Sequence, residues 1–399
     1  MPHHEPTPGH RESAPGHHEP GRHESGRHES GHHEPGRPES GHREPGPGSR
    51  PGDAPSGTAP PHAAPGGATP GGDRAAFALL AERHHRELHI HCYRMLGSFE
   101  EAEDLVQETL LRARRQATSA EGDPASREPE FRTLLYRIAT AVCHDALRHK
   151  RRPPALHSIA EVPWVQPYPD RLLDQAAPRG GGPGPAAVTR ETIELSFLAA
   201  LQLLPPRQRA ALVLRDVLGR PAEETAALLG TTATAAGSAL QRARATLREH
   251  RPPHRDDPGS AAGREDAAEG KAEAEVDTEA ELLRRYVDAH ERADTAALTA
   301  LLREDVRVTT LPRPWSYEGR AALAPLFEQT FGPQEPGDWK LLPTGANRSP
   351  AAAGYLRAEG ASGHRAFKLD VLRVEGGAIA EITTFDAELF PAFGLGLTL

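Results

Sequence analysis

The chain has 399 residues and a formal net charge of −9, which leaves room for two to four domains and weighs against a free-standing nucleic-acid binder. Its two cysteines, Cys92 and Cys143, lie in apolar-periodic segments. No disulfide framework or zinc site is implied, so a reducing compartment is expected. No apolar run approaches the roughly 20 residues of a membrane helix, and the polar start carries no secretory pattern, so a cytoplasmic protein with no metal and no cofactor is expected.

Residues 1–72 repeat a five-residue unit, as in "GHHEPGRHESGRHESGHHEPGRPES". Gly and Pro interrupt any helix there and little in it can be buried, so a disordered tail is expected. Its imidazoles could bind a divalent metal or respond to pH, although a solvated tail is the simpler expectation.

Residues 75–152 read as a helical domain. "FALLAERHHRELHIHCYRML" is closed by Gly97. A second helix opens on Ser98 and Glu101, the spacing of a capping box, and its stripe runs through Ala102, Val106, Leu110 and Ala113. A third, "EFRTLLYRIATAVCHDALRHKRR", turns Phe131, Leu135, Ile138 and Val142 inward and ends before Pro153. A linker, 153–188, would then hold the first helical domain apart from a second, 189–250. In that second domain a short and a long helix meet at Gly230 and two threonines, the punctuation of a helix-turn-helix. A charged linker, 251–276, precedes 277–399. There helices come first, and strand-like runs follow at "DVRVTTL", "AAAGYLRA", "RAFKLDVLRV" and "AIAEITTF", with "EGG" as a hairpin signal. This last part is an α+β domain.

Two faces suggest nucleic acid. In the long helix of the second domain, Ala236, Leu240, Ala243 and Leu247 share one side. That leaves Thr232, Thr234, Ala235, Ser238, Gln241 and Arg242 for base edges and phosphates. In the helix 130–151, Arg132, Tyr136, Arg137, Thr140, His144 and Arg148 form a polar, aromatic and basic face suited to melted DNA. Either face could instead be an ordinary solvated one.

The segments "RELHIHCYRMLGSFEEAEDLVQETLLRARR", "FRTLLYRIATAVCHDALR", "EVPWVQPYPDRLLD" and "LPPRQRAALVLRDVLG", with "ALLGTTATAAGSALQRARATL", together resemble an extracytoplasmic-function sigma factor of RNA polymerase. The resemblance covers about 77–250 in order, and extends to an actinobacterial type with a fused SnoaL-like domain at the C-terminus. It implies a multidomain fold: two all-α sigma domains, region 2 and region 4, plus a cone-shaped α+β domain. It implies that Asp104, Leu105, Gln107, Glu108 and Leu111 meet the clamp of the β′ subunit of core polymerase. It further implies that 130–151 opens and reads a minus-ten promoter element and that region 4 enters the major groove of a minus-thirty-five element. Delivery by the polymerase accommodates the acidic total. The chain departs from the family near Leu134, commonly Trp, and at Ala141, commonly Asn. Ala236 and Gly237 stand where a larger apolar residue and Asn are usual, so the promoter sequence read is expected to differ from the family's.

"LLRRYVDAHERADTAALTALLREDVRVTTLPRPWSYEGRAAL" resembles the opening of a SnoaL-like domain, whose relatives enclose a pocket and in some cases use an Asp with His or Tyr as acid and base. The candidates here to line or rim a pocket for a small-molecule ligand are Tyr286, His290, Trp315, Tyr317 and Asp370, with Asp288 and Asp386 beside them. Asp288 and His290 are two apart on a helix and do not share a face. The tail "TFDAELFPAFGLG" is expected to pack on the sigma domains or linker and restrain them. The reading is a sigma factor regulated by its C-terminal domain and not an enzyme. The alternatives are a one-component DNA-binding regulator that senses a ligand, or an isomerase-type enzyme with a DNA-binding module.

Overall fold

A computed structural model describes residues 70–117, 128–148, 150, 159–175, 188–250, 265–313, 315–332 and 337–399. The repeat tail 1–69, the basic residues His149, Arg151 and Arg152 and much of both linkers lie outside them.

Helix α1 spans Pro70–Leu96 and α2 spans Phe99–Ala117. Gly97 turns the chain between them at a φ of 78°, where a Cβ would press on Gln202 and Val165; glycine alone meets both demands without strain. Ser98 caps α2 by accepting from the Glu101 amide at 3.3 Å. The expected capping box is only half formed, because the Glu101 carboxylate pairs with Lys150. Helix α3 spans Glu128–Leu147. After a 3-10 turn at Ile159–Glu161 the linker runs extended to a short helix, α4, at Asp170–Asp174.

Helices α5 (Leu195–Gln202), α6 (Pro206–Leu212, continued by a π turn at Val213–Val217), α7 (Ala222–Leu228) and α8 (Ala233–His250) follow. Gly219 and Gly230 take left-handed backbone at the turns on either side of α7. Helix α9 spans Glu265–Glu291 and α10 spans Thr295–Leu301.

The strands are β1 (Leu302–Thr310), β2 (Trp315–Glu318), β3 (Gly337–Ala346), β4 (Ser349–Ala358), β5 (Arg365–Glu375) and β6 (Ala378–Asp386), with helix α11 at Ala324–Phe331 between β2 and β3. They form one six-stranded sheet in the order β2-β1-β6-β5-β4-β3. β1 lies parallel to β6 and every other pair is antiparallel. The expected β5–β6 hairpin turns on Gly376 and Gly377, both with positive φ.

The two edge strands, β2 and β3, are not anticipated from sequence. β2 is a four-residue strand, and β3 carries Pro343, which an edge strand tolerates because no ladder donor is required there. The hairpin between β3 and β4 turns on Asn347 and Arg348 at φ of 56° and 60°, a two-residue turn without the glycine that would announce it.

The sheet is buried on both faces. Leu341, Ala352, Leu372, Ile379 and Ile382 pack with Leu282, Tyr286 and Leu298 of α9 and α10. On the other face Ala351, Ala353, Tyr355, Leu369, Val371 and Phe385 pack with Ile159, Val162 and Val165 of the linker, Leu195 and Ala199 of α5, and Leu389, Phe390 and Phe393 after β6. The small residues of "AAAGY" allow the linker and α5 to approach the sheet closely.

The expectation that a linker holds two helical domains apart is corrected. Leu88, Tyr93, Leu135 and Tyr136 of α1 and α3 share one hydrophobic core with Leu198, Leu204, Ala211, Leu214 and Leu240 of α5–α8. The hydrophobic effect drives this closure: the inner faces of both modules are apolar enough to cover one another.

Candidate nucleic-acid interface

On α2, Asp104, Gln107 and Leu111 are exposed, and Leu105 and Glu108 are half-buried. Leu111 stands 51% exposed. Arg112 closes on Glu108 at 2.6 Å.

On α8, Thr232 (at its cap), Thr234, Ala235, Ser238, Gln241 and Arg242 are all exposed, while Ala236, Leu240 and Ala243 are buried. The Thr232 hydroxyl accepts from the Ala235 amide at 3.2 Å and orders the first turn. Leu240 and Ala243 lie in the shared core, which pins the helix while its polar side faces outward.

The α3 face differs from its expectation. Arg137 and Arg148 are exposed and His144 is half-buried, but Tyr136 and Thr140 are fully buried. Thr140 bonds His91 of α1 at 3.0 Å. Arg132 is turned inward, gripping Glu87 through both of its carboxylate oxygens at 2.8–3.0 Å. The Tyr136 ring lies 5.4 Å from the Arg132 guanidinium and 5.2 Å from that of Arg220, which comes from the loop before α7. The tyrosine is thus covered by the helix-turn-helix module, because its apolar ring gains more from burial between two cations than from water. Burial pushes the Tyr136 hydroxyl well above the ordinary phenol range and His91 down to about 3, so the tyrosine stays protonated and the imidazole neutral. Glu87 is held below the usual carboxylate range: burial alone would raise it, and the His84 and Arg132 hydrogen bonds outweigh that effect.

Further contacts tie the two modules. Arg94 donates to the Thr192 carbonyl at 3.1 Å and to its hydroxyl at 2.9 Å. Arg209, fully buried, donates to the Met95 carbonyl at the end of α1 and to Gln202. Sequence reasoning missed Glu87, His91, Arg209 and Arg220, whose roles exist only across the packed interface.

In the α+β domain Tyr286, His290 and Asp370 do come together. Asp370 accepts from Tyr286 at 2.9 Å, from Thr384 at 2.7 Å and from Lys368 at 2.9 Å. Burial would raise this carboxylate, yet Lys368, His290 and the Lys368 and Thr384 hydrogen bonds hold it below its ordinary value. A carboxylate so saturated is a weak base, far from the poise that proton abstraction needs. His290, brought down to about 3 by burial and then by Lys368, rests edge-on against Trp339 and Phe331, and its Nδ1 has no hydrogen-bond partner. Trp315 is exposed and Tyr317 half-buried on β2, Asp288 is exposed and paired with Arg292, and exposed Asp386 caps the turn after β6. Among the described residues none of these four side chains makes a hydrogen bond or ion pair with those of the cluster. Lys368, Thr384 and Trp339 complete the cluster and were not foreseen. Among the described residues no group of His, Cys, Asp or Glu could hold a metal ion, and no helix is long and apolar enough to cross a membrane.

Two helical modules, one presenting an open helix-turn-helix, packed on a six-stranded sheet define a transcription-type DNA-binding protein with an added α+β domain. Comparison with known families matches "Sigma-70 region 2" over residues 80–153, "Sigma-70, region 4" over 194–247 and "SnoaL-like domain" over 283–382. The chain is 39% identical over 337 residues to the ECF RNA polymerase sigma factor SigG of Mycobacterium tuberculosis, covering 81% of this chain and 84% of that one. It is 33% identical to SigM of the same species over 44% of this chain and 76% of the relative. A crystal structure of the M. tuberculosis sigma factor SigJ aligns with 80% of this chain and 99% of its own, at 19% identity and a TM-score of 0.49. The chain belongs to the ECF RNA polymerase sigma factors, in the form that carries a SnoaL-like C-terminal domain.

Proposed function

We propose that this chain works in the cytoplasm as a promoter-specificity subunit, docking on the clamp of core polymerase through Asp104, Leu105, Gln107, Glu108 and Leu111 of α2. The exposed face of α8, with Thr232, Thr234, Ala235, Ser238, Gln241 and Arg242, reads a minus-thirty-five element. Arg137, His144 and Arg148 of α3 engage the minus-ten region, joined by Arg132, Tyr136 and Thr140 once the modules separate. The observation that carries this reading is the solvent-facing α8 surface on a helix whose opposite side is locked in the core. The chain performs no covalent chemistry in this role, and the saturation of Asp370 supports the same view of the C-terminal domain. A small-molecule ligand would find an unsatisfied polar atom there at His290 Nδ1.

The arrangement supports a restrained form: Tyr136 is covered by Arg220, and the sheet face of the SnoaL-like domain holds the linker and α5. The C-terminal domain regulates by keeping region 4 against region 2 until polymerase separates them. Run-off transcription with purified core polymerase on genomic promoter fragments tests the function. A chain-dependent transcript that weakens on replacing Gln241 and Arg242 by alanine is expected. Absence of any chain-dependent transcript refutes it, and failure to capture core polymerase would favour a one-component regulator.

A further inference from the structure

The N-terminus of α2, the helix assigned above to polymerase docking, is capped by a residue of the linker. The Gln166 Oε1 accepts from the Ser98 hydroxyl at 2.7 Å and from the Glu100 amide at 3.1 Å, while its Nε2 donates to the Glu100 carboxylate at 2.8 Å. Gln166 thereby satisfies an amide that α2 cannot satisfy itself, and it steadies the Ser98 cap. Its backbone is anchored as well: its amide donates to Gly97 O at 2.9 Å, and its carbonyl accepts from the Tyr93 hydroxyl at 2.7 Å.

That hydroxyl is held from the C-terminal domain. Asn347, fully buried at the tip of the β3–β4 hairpin, donates through Nδ2 to Tyr93 at 2.9 Å and to the Ile193 carbonyl at 2.7 Å. It also pairs with the linker: its Oδ1 accepts from the Tyr168 amide at 2.7 Å, and its own amide donates to the Tyr168 carbonyl at 2.9 Å. Tyr168 carries a second branch. Its hydroxyl bonds His89 Nδ1 at 2.9 Å, and its ring packs on Phe99, the first residue of α2, at 5.2 Å. Both Asn347 and Arg348 are non-glycine residues in left-handed backbone, a conformation that persists where the surroundings over-determine it.

We infer that Asn347 is a positioning residue for the polymerase-docking helix, acting through the linker residues Gln166 and Tyr168 on the first turn of α2. The inference rests on the assignment of α2 as the docking helix; the contacts themselves do not.

The test uses the full chain with Asn347→Gly, which keeps the left-handed turn and removes the amide, alongside Gln166→Ala and the double variant. Amide hydrogen exchange at Glu100 and Glu101 is the primary readout. Both single variants should accelerate it about tenfold, the order expected on losing a cap. The double variant should exceed Gln166→Ala alone by no more than the Tyr168 branch carries and stay below the sum of the two single effects, since the Gln166 branch acts in series. Core-polymerase affinity should weaken about 3- to 10-fold in each single variant, by the same cap arithmetic. A merely structural Asn347 gives another pattern: the thermal midpoint falls, because the buried Tyr168 amide and Ile193 carbonyl lose their partner, while exchange at α2 stays as in the parent. That result, or additive effects in the double variant, overturns the inference. If the parent chain does not bind polymerase at all, the docking assignment fails, and the exchange measurement still decides whether Asn347 positions α2.

Discussion

The guanidinium of Arg220, from the helix-turn-helix module, lies 5.2 Å from the ring centre of Tyr136 on α3. One residue of region 4 therefore covers the aromatic group that the proposed function assigns to an unpaired base. A cation over a desolvated ring contributes on the order of 1–2 kcal/mol. Replacing Arg220 by alanine should loosen the closed form and raise affinity for a single-stranded minus-ten oligonucleotide by up to about 5- to 30-fold, the same energy expressed as a ratio. Fluorescence anisotropy measures it, and an unchanged or weaker affinity would show that Arg220 does not shield Tyr136.

The pH dependence of stability has two opposing parts. His91 and His89 are lowered to about 3 and about 4 by burial above all. Their neutral forms are favoured in the folded chain, so the stability they confer is complete above about 6.5 and drains away as pH falls through the folded values. Asp170, beneath the β3–β4 hairpin, is raised to about 6 by burial, although it accepts from the Arg348 amide at 2.8 Å. Its contribution is complete below the ordinary Asp value and is lost as pH rises towards and past 6. Thermal midpoints from pH 7.5 to 5 should fall on acidification through the histidines, and Asp170→Asn should steepen that fall by removing the opposing group. A flat profile in the parent chain would contradict the burial of these imidazoles.

Asp370 and Lys368 are a buried pair, with side chains 0% and 16% exposed and 2.9 Å apart. Asp370→Asn leaves the ammonium and the Tyr286 and Thr384 hydroxyls without their anion. Loss of one partner from such a pair costs about 3–5 kcal/mol. Denaturant unfolding should show a loss of that order, and a loss below about 1 kcal/mol would mean the pair is wetter than its burial indicates.

Gly237 lies within α8, and a Cβ built there meets nothing. Gly237→Ala should stabilise region 4 by up to about 1 kcal/mol from helix propensity. The check is the denaturation midpoint. A decrease would reveal a constraint on α8 outside its helical backbone.

Helices α2, α3 and α8 were legible because an apolar stripe every three or four residues is a local property, and their ends carry Ser, Gly or Pro. The β5–β6 hairpin was legible for the same kind of reason, through Gly376 and Gly377. β2 and β3 were not: one is very short, the other carries Pro343, and the edge position that excuses both is a property of the sheet. The Asn347–Arg348 turn also escaped notice, since neither residue advertises a left-handed backbone.

The faces divide along the same line. Amphipathic periodicity alone assigned Ala236, Leu240 and Ala243 to the inside of α8 and left Thr234, Ser238 and Gln241 outside, since the geometry of one helix settles which residues share a side. Tyr136 and Thr140 share the outer side of α3 by that same geometry, yet both are buried, because residues remote in the chain (Arg220, His91) arrive to cover them. The cap on α2 was written locally as Ser98 and Glu101 and completed by Gln166, and the hairpin tip that holds the linker comes from another domain. Periodicity is short-ranged and can be read along the chain, whereas burial and hydrogen-bond partnership depend on which surfaces meet after folding.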